Sequence, residues 1–564
     1  MKTLNQYIFF LFSTLIFYFN GLNAYSQVVK KNSIVVSDNK IASQVGIDIL
    51  KKGGNAIDAS IATAFALAVT FPSAGNIGGG GFLIYLNSNN NVTTIDFREK
   101  APINSHQKMF QNKNGELIKG LNHNSIISIG VPGTVSGLYM AHQKYGKLSW
   151  KELVQPSIKL AEKGFIMTNG LYESIVKLKM NKSQYFLKKY FLNDQNKIVM
   201  PGETFRQMAL SKTLKSIYEN GRDGFYKGWV ADEIVSYMKK NKGLITHKDL
   251  EMYRAIEREP IVGSFKEYNV YSMAPPSSGG VTLISMLNII EQANLENLTF
   301  NSVDYIHLLA EIMRIAYKDR AKFLGDPDFN IDMPLDLLTS KSYAKARFKT
   351  IDLEKASKSV NDNYFHPFGG DNTTHISVID NQGNAVSLTY TLEYSFGSGM
   401  GSSKLGFIFN NEMGDFNPVS DLTTNDGLIG TSPNLIEPEK RMLSSMTPTI
   451  ITKKNRPFLI IGSPGGRTII NTVFQTILNV IVFKMKIKQA IEANKIHHQW
   501  MPDEIKHESF YFSKNLTKNL KSMGHNLIEV EKIGNLMGIL YDENEGVYAG
   551  VSDSNSIDGA AVGY

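Results

Sequence analysis

The spacing of hydrophobic residues divides the chain into a helical opening, a long helical middle and a strand-rich final third. Near the start, Ala42, Val45 and Ile49 recur at helical intervals until Gly53-Gly54 interrupts them, and residues 56–70 are rich in Ala and Ile. This pattern predicts two packed helices. Four glycines, Gly78 to Gly81, precede an apolar run at 82–86, which an asparagine-rich turn separates from 92–97. A hairpin ending at Arg98 is predicted there. Residues 130–350 are mostly helical in pattern, with a break at Ala274-Pro275-Pro276-Ser277-Ser278-Gly279-Gly280, where the backbone must turn or approach something closely. From Thr373 the pattern changes to strands: 375–380 and 385–390 flank the turn Asn381-Gln382-Gly383-Asn384, and 449–452 and 458–461 flank another. A helix is predicted after Gly465-Gly466, with Ile470, Val473, Phe474, Ile477 and Ile481 on one face. Strands layered with helices on both sides fit this order. The polar stretch 357–371 reads as a linker, and there is no internal repeat.

Composition narrows the function. At 564 residues and 42% hydrophobic content the chain can fill one large core or two ordinary ones. The formal charge of +8 is a small excess of 60 basic over 52 acidic residues, with no Lys/Arg block, so nucleic acid is a poor candidate partner. Cysteine is absent, which excludes thiol catalysis, thiolate metal sites and disulfides. Lys2, the apolar run 7–19, Gly21 and the small-residue end Leu22-Asn23-Ala24 read as a cleaved export signal over residues 1–24. That run is too short to cross a bilayer comfortably, and no later segment is long and apolar enough. The expectation is a soluble protein outside the cytoplasm, periplasmic or secreted, with no stable membrane anchor.

The chemistry centres on Asn372-Thr373-Thr374-His375-Ile376-Ser377-Val378-Ile379-Asp380. A threonine hydroxyl is a poor nucleophile without an adjacent base. If the peptide bond before Thr373 is cut, the freed α-amine, with a pKa of roughly 7.7–8.0, can take the proton of its own hydroxyl near neutral pH. The same hydroxyl can make the cut by attacking the carbonyl of Asn372. Taken alone, Thr-Thr-His at the start of a strand is also ordinary β-structure.

With other blocks in the same order, this segment resembles the start of the small subunit in the gamma-glutamyltranspeptidases. Those blocks are Asp96-Phe97-Arg98-Glu99, Thr389-Tyr390-Thr391, Asn410-Asn411-Glu412-Met413 with Asp415-Phe416, Leu443-Ser444-Ser445-Met446, Gly462-Ser463-Pro464-Gly465-Gly466 and His497-His498-Gln499-Trp500. The similarity runs from about residue 36 to 564. It implies an α+β fold, a four-layered αββα sandwich of the N-terminal-nucleophile hydrolase type. It also implies self-cleavage between Asn372 and Thr373 into a large subunit, 25–372, and a small subunit, 373–564, that remain one folded unit. The implied substrates are gamma-glutamyl amides such as glutathione, with water or an amino acid or peptide accepting the acyl group from Thr373. No cofactor or metal is implied.

The resemblance also distributes roles. Arg98 would give the substrate α-carboxylate a two-pronged pair of hydrogen bonds, with Ser444 and Ser445 adding donors. Glu412 and Asp415 would accept from the α-ammonium, together with Glu393, which stands where many members have asparagine. Gly465 and Gly466 would offer backbone N–H groups to the negative oxygen formed on attack, and Thr391 would bond the nucleophile and its amine. Without the resemblance, Arg98 reads as a surface salt bridge with Glu99, the acids as a solvated turn, and the glycines as a tight turn. Gly78 to Gly81 lacks the Lys-Ser/Thr of a phosphate loop and reads as close backbone packing. His497 and His498 diverge as neighbours and read as a structural pair rather than metal ligands. Residues 416–440 form an insert of the kind that covers the pocket in lidded members, with no aromatic near Asp426 to close it, and Ser552-Asp553-Ser554-Asn555 lacks an arginine that many members carry. Two alternatives remain: a glutaryl or β-lactam side-chain acylase of the same fold, disfavoured because a glutaryl group has no ammonium for the acids, and an inactive exported binding protein.

Overall fold

The computed structural model describes residues 27–178, 185–193, 195–359, 373–425, 428–509 and 511–564. The expected export signal, Asn372, most of the expected linker and Asp426 lie outside the described residues. Fourteen strands build two sheets of seven. In chain order they are β1 (Gln27–Lys30), β2 (Ile34–Ser37), β3 (Gly80–Leu86), β4 (Val92–Asp96), β5 (Ile256–Arg258), β6 (Ile261–Phe265), β7 (Tyr268–Ser272), β8 (Thr373–Ile379), β9 (Ala385–Thr391), β10 (Thr449–Lys453), β11 (Arg456–Gly462), β12 (Met537–Asp542), β13 (Val547–Ser552) and β14 (Ala560–Gly563). One sheet runs β14-β2-β8-β9-β3-β4-β5 and the other β1-β13-β12-β11-β10-β7-β6. Every adjacent pair in both is antiparallel.

Strand alternation creates the layers. On β2, Val35 joins the core beneath the helices, whereas Ile34 and Val36 face the opposite sheet together with Ile450, Ile460 and Ile539. Six helices define the outer layers: α1 (Lys40–Lys51), α2 (Ala56–Thr70), α3 (Trp150–Lys163), α4 (Gly279–Ile290), α5 (Val303–Phe323) and α6 (Ile469–Ile481). Helices α1 to α3 share one core with β2, β8 and β9, and α4 to α6 share another with β7, β10 and β11. The order is helix, sheet, sheet, helix, which is the four-layered α+β sandwich expected. Helix α2 is buried on every face, which explains its small side chains, and Asn55 with Asp58 closes a capping box at its start. Among the described residues, no helix is long and apolar enough to cross a membrane.

The expected hairpins at 82–97, 375–390 and 449–461 all form. The middle of the chain needs correction: it contains β5, β6 and β7, which extend one edge of each sheet. These strands are short and partly exposed, so they carry little hydrophobic periodicity. The final strands, β12 to β14, had no specific expectation.

Glycines 79 to 81 are packed against backbone. A Cβ on Gly79 would lie 2.0 Å from the Thr391 carbonyl oxygen, and one on Gly81 would lie 2.4 Å from that of Thr389. The glycine run therefore lets β3 lie close along β9 and fixes the end of β9 at Thr391. Substitution of Gly79 by Ala is expected to cost about 1–3 kcal/mol of stability, because the atom in the way is backbone. Denaturant unfolding of the variant beside the wild type measures this loss.

Candidate active site

The antiparallel register of β8 and β9 sets Thr373 opposite Thr391. The Thr373 hydroxyl donates to Thr391 Oγ1 at 3.4 Å, and that oxygen also accepts from the Glu393 N–H at 2.8 Å. The Asn76 amide donates to the Thr391 carbonyl at 2.9 Å, so the partner of Thr373 is held through both its side chain and its backbone. On the other face of β8, the Thr374 hydroxyl donates to Asp38 Oδ2 at 2.7 Å. Asp38 also accepts from Asn535 and Ser556, and burial pushes its pKa up to about 6. It anchors the start of β8 to the end of β2, a role with no sequence signal.

Thr373 opens onto a cleft of about 800 Å³, part of it open to solvent. Arg98, Thr391, Glu393, Glu412, Asp415, Ser444, Ser445 and Gly466 all line it. Of the residues expected in the site, only Gly465 is not part of the lining; it lies one position behind Gly466. Gly465 and Gly466 have φ of +130° and +53°, left-handed backbone that favours glycine, and the turn leads into α6.

Arg98 is buried, not a surface residue. Its Nη1 lies 2.5 Å from Glu412 Oε2, its Nη2 lies 2.5 Å from Asp415 Oδ2, and Glu99 is 3.6 Å away. The residues expected to receive opposite charges of one ligand thus pair with each other. Burial drives the Glu412 carboxyl well above its ordinary pKa, and Arg98 only partly offsets this. Glu99 is shifted upward for the same reason, and neither of its oxygens accepts a hydrogen bond from a described residue. Asp415, with its side chain 37% exposed, is the acid nearest solvent. Glu393 is also buried, not a solvated turn residue: its Oε2 lies 3.2 Å from His123 Nδ1.

The Pro-Pro-Ser-Ser-Gly-Gly break belongs to the same site. Ser277 bridges to Ser444, the backbone and hydroxyl of Ser278 both donate to the Ser444 carbonyl, and the Ser444 N–H donates to the Pro276 carbonyl. Arg320 of α5 donates to Ser278 Oγ at 2.8 Å and to Ser445 Oγ at 2.9 Å. Burial, with Arg467 nearby, lowers the Arg320 pKa to about 10.

The gamma-glutamyltranspeptidase family model matches residues 42–563, almost the whole described chain. The chain belongs to the gamma-glutamyltranspeptidase family. The glutathione hydrolase proenzyme of Escherichia coli is 41% identical over 96% of this chain and 93% of that protein. That of Bacillus subtilis is 39% identical, over 96% and 93% respectively. Among solved structures, Helicobacter pylori gamma-glutamyltranspeptidase is 42% identical, with a TM-score of 0.54 over 56% of this chain and 91% of that chain. A cephalosporin acylase from Bacillus halodurans superposes with a TM-score of 0.81 at 26% identity, over 95% and 97%.

Within this gamma-glutamyltranspeptidase-family cleft, sequence reasoning missed His123, Arg320, Arg467, Asn417 and Asn434. The last two come from the 416–440 insert, which contributes to the lining: Asn417 donates to the Thr431 carbonyl, and Asn434 donates to that of Asp415. His497 and His498 face different partners, Asn471 with Gln499 and Asp503 with Trp500, as befits a structural pair. Replacing Arg98 by Ala would leave Glu412 buried without its cation, at an expected cost of about 3–5 kcal/mol. Arg98→Lys is expected to lose clearly less, and equilibrium denaturation of both variants makes the comparison.

Proposed function

We propose that the chain is a self-cleaving gamma-glutamyl amide hydrolase and transferase whose nucleophile is the hydroxyl of Thr373. One observation carries this reading: Thr373 faces a cleft that also presents a buried guanidinium and three acids, Arg98 with Glu393, Glu412 and Asp415. A free amino acid head group carries both an α-carboxylate and an α-ammonium, and these side chains match both. The names of the relatives, glutathione hydrolase proenzyme, agree with such a substrate and with maturation by cleavage.

In this reading the bond before Thr373 breaks, leaving a large subunit, 25–372, and a small subunit, 373–564, in one folded unit. The new α-amine takes the Thr373 hydroxyl proton as the oxygen attacks the gamma-carbonyl. Thr391 steadies that hydroxyl, and the backbone N–H of Gly466, with that of Gly465 behind it, faces the developing negative oxygen. Collapse of this intermediate expels the amine, which takes a proton, and leaves a gamma-glutamyl ester on Thr373. Water or an amino acid or peptide amine then attacks the ester and regenerates the hydroxyl. Arg98, Ser444 and Ser445 hold the α-carboxylate, while Glu393, Glu412 and Asp415 receive the α-ammonium. Export to the periplasm or medium follows from the N-terminal pattern of Lys2 and the apolar run 7–19.

Intact-mass analysis of the purified protein is expected to give two chains for the wild type and one for Thr373→Ala. A single uncut wild-type chain that is fully active would overturn the assignment. A gamma-glutamyl anilide is expected to turn over faster than a glutaryl anilide; the reverse order would point to an acylase. Because the base must be a free amine, kcat/KM is expected to fall up to tenfold per pH unit below the amine's pKa, roughly 7.7–8.0. Initial rates across this range test the slope.

A further inference from the structure

His123 is a cleft residue that the proposed reaction does not use. Its position is tightly determined. Asn411 and Ser128 donate to its carbonyl, its ring stacks on Tyr394 with centroids 4.8 Å apart and planes 9° from parallel, and a Cβ on Gly414 would come within 2.0 Å of its Nδ1. The ring can therefore approach only because position 414 is glycine. Glu393 is equally constrained: its φ is +78°, which is rare for a residue with a side chain, and its N–H is tied to Thr391. Two rigid segments thus bring one imidazole against one carboxylate at the place assigned to the substrate's amino group.

We propose that His123 is a specificity-determining residue that shares one proton with Glu393 beside the place of the donor's α-ammonium, so that a donor bearing this ammonium expels that proton from the pair as it binds. The inference rests on the functional reading above. The pair holds the same single extra proton whether that proton sits on His123 or on Glu393. Once an ammonium lies against Glu393, a cationic imidazole would repel it and a protonated carboxyl could not pair with it. The proton therefore leaves to solvent, and the pair becomes neutral imidazole and carboxylate. Burial opposes charge on both groups: it raises the Glu393 pKa to about 7, with His123 offsetting it only in part, while the carboxylate raises the His123 pKa above its ordinary value despite burial. The other charges facing the pair are Asp415 and Arg467 on the His123 side, and Asp415, Arg98 and Glu412 on the Glu393 side. Among these groups His123 and Glu393 are the two in direct contact at the place assigned to the ammonium, so the exchangeable proton is assigned to them.

The test compares L-glutamate with glutarate, the same molecule without the amino group, as competitive inhibitors of gamma-glutamyl anilide hydrolysis between about pH 5.5 and 7.5. For the wild type, the ratio of the glutarate to the glutamate inhibition constant is expected to rise up to tenfold per pH unit, then level off once the pair has lost its proton. Taking the ratio removes the titration of the Thr373 amine, which both ligands meet alike. In H123Q the levelling point is expected to move to lower pH, because the shared proton loses one of its two resting places, and in H123Q/E393Q the rise is expected to vanish. Glutarate inhibition and two-chain maturation in H123Q report that the cleft is intact. A levelling point unchanged in H123Q, or a wild-type ratio that does not vary with pH, overturns the inference. Failure of the wild type to hydrolyse the anilide at all would instead overturn the functional reading beneath it.

Discussion

The pairing of β8 with β9 is the constraint on which the site depends. It sets two threonines side by side at the mouth of the inter-sheet space, and everything else in the cleft is placed relative to them. The glycine run beside β9, the Asn76 contact to Thr391 and the Asp38 anchor beneath β8 all serve the same end. A residue at the start of a strand has little local structure of its own to orient it, so its neighbours must supply the orientation. Here the register with β9 and side-chain bonds from Thr391, Asn76 and Asp38 do so.

The second organising force is charge held out of water. Arg98 sits among Glu99, Glu412 and Asp415, and His123 sits against Glu393, so each buried cation of the cleft has an acid beside it. Such an arrangement is costly unless each ion keeps a partner, and most of its acids are pushed toward their neutral forms. A ligand with matching charges exchanges partners with the cleft instead of stripping water from isolated ions. That lowers the desolvation cost of recognition and penalises ligands with only one of the two charges.

Much of the site was legible through the family resemblance, whose blocks are short local motifs. Arg98 ends a hairpin, Glu412 and Asp415 share one turn, Ser444 and Ser445 are adjacent, and the hairpin around Thr373 alternates clearly. The layered architecture is readable in the order of helical and strand patterns, with α2 marked by an unbroken run of small apolar residues and the central strands by turns between apolar runs. Residues that act across the fold left no such trace. His123 lies in an irregular loop and meets Glu393 from 270 positions away, while Arg320 sits on a helix whose pattern speaks only of its buried face. Strands β5 to β7 leave little trace because they are short and their apolar residues do not follow the burial, Val262 being exposed and Ser272 buried, and without the resemblance Arg98 reads as a surface ion because sequence shows its neighbour Glu99 but not the distant acids that bury it.

The strand order of the sheet that carries Thr373 has one more consequence. Strands β8, β9 and β14 follow position 372, yet they interleave with β2 and β3, which precede it, and the second sheet is mixed in the same way. A break at that position resembles a nick in a woven cloth: the halves cannot part without tearing every seam between them. Once unfolded, however, two separate chains would have to find each other again, with their strands in the original interleaved order. Maturation would therefore make unfolding a one-way event, and the durability of the finished enzyme would be measured as a lifetime rather than as an equilibrium.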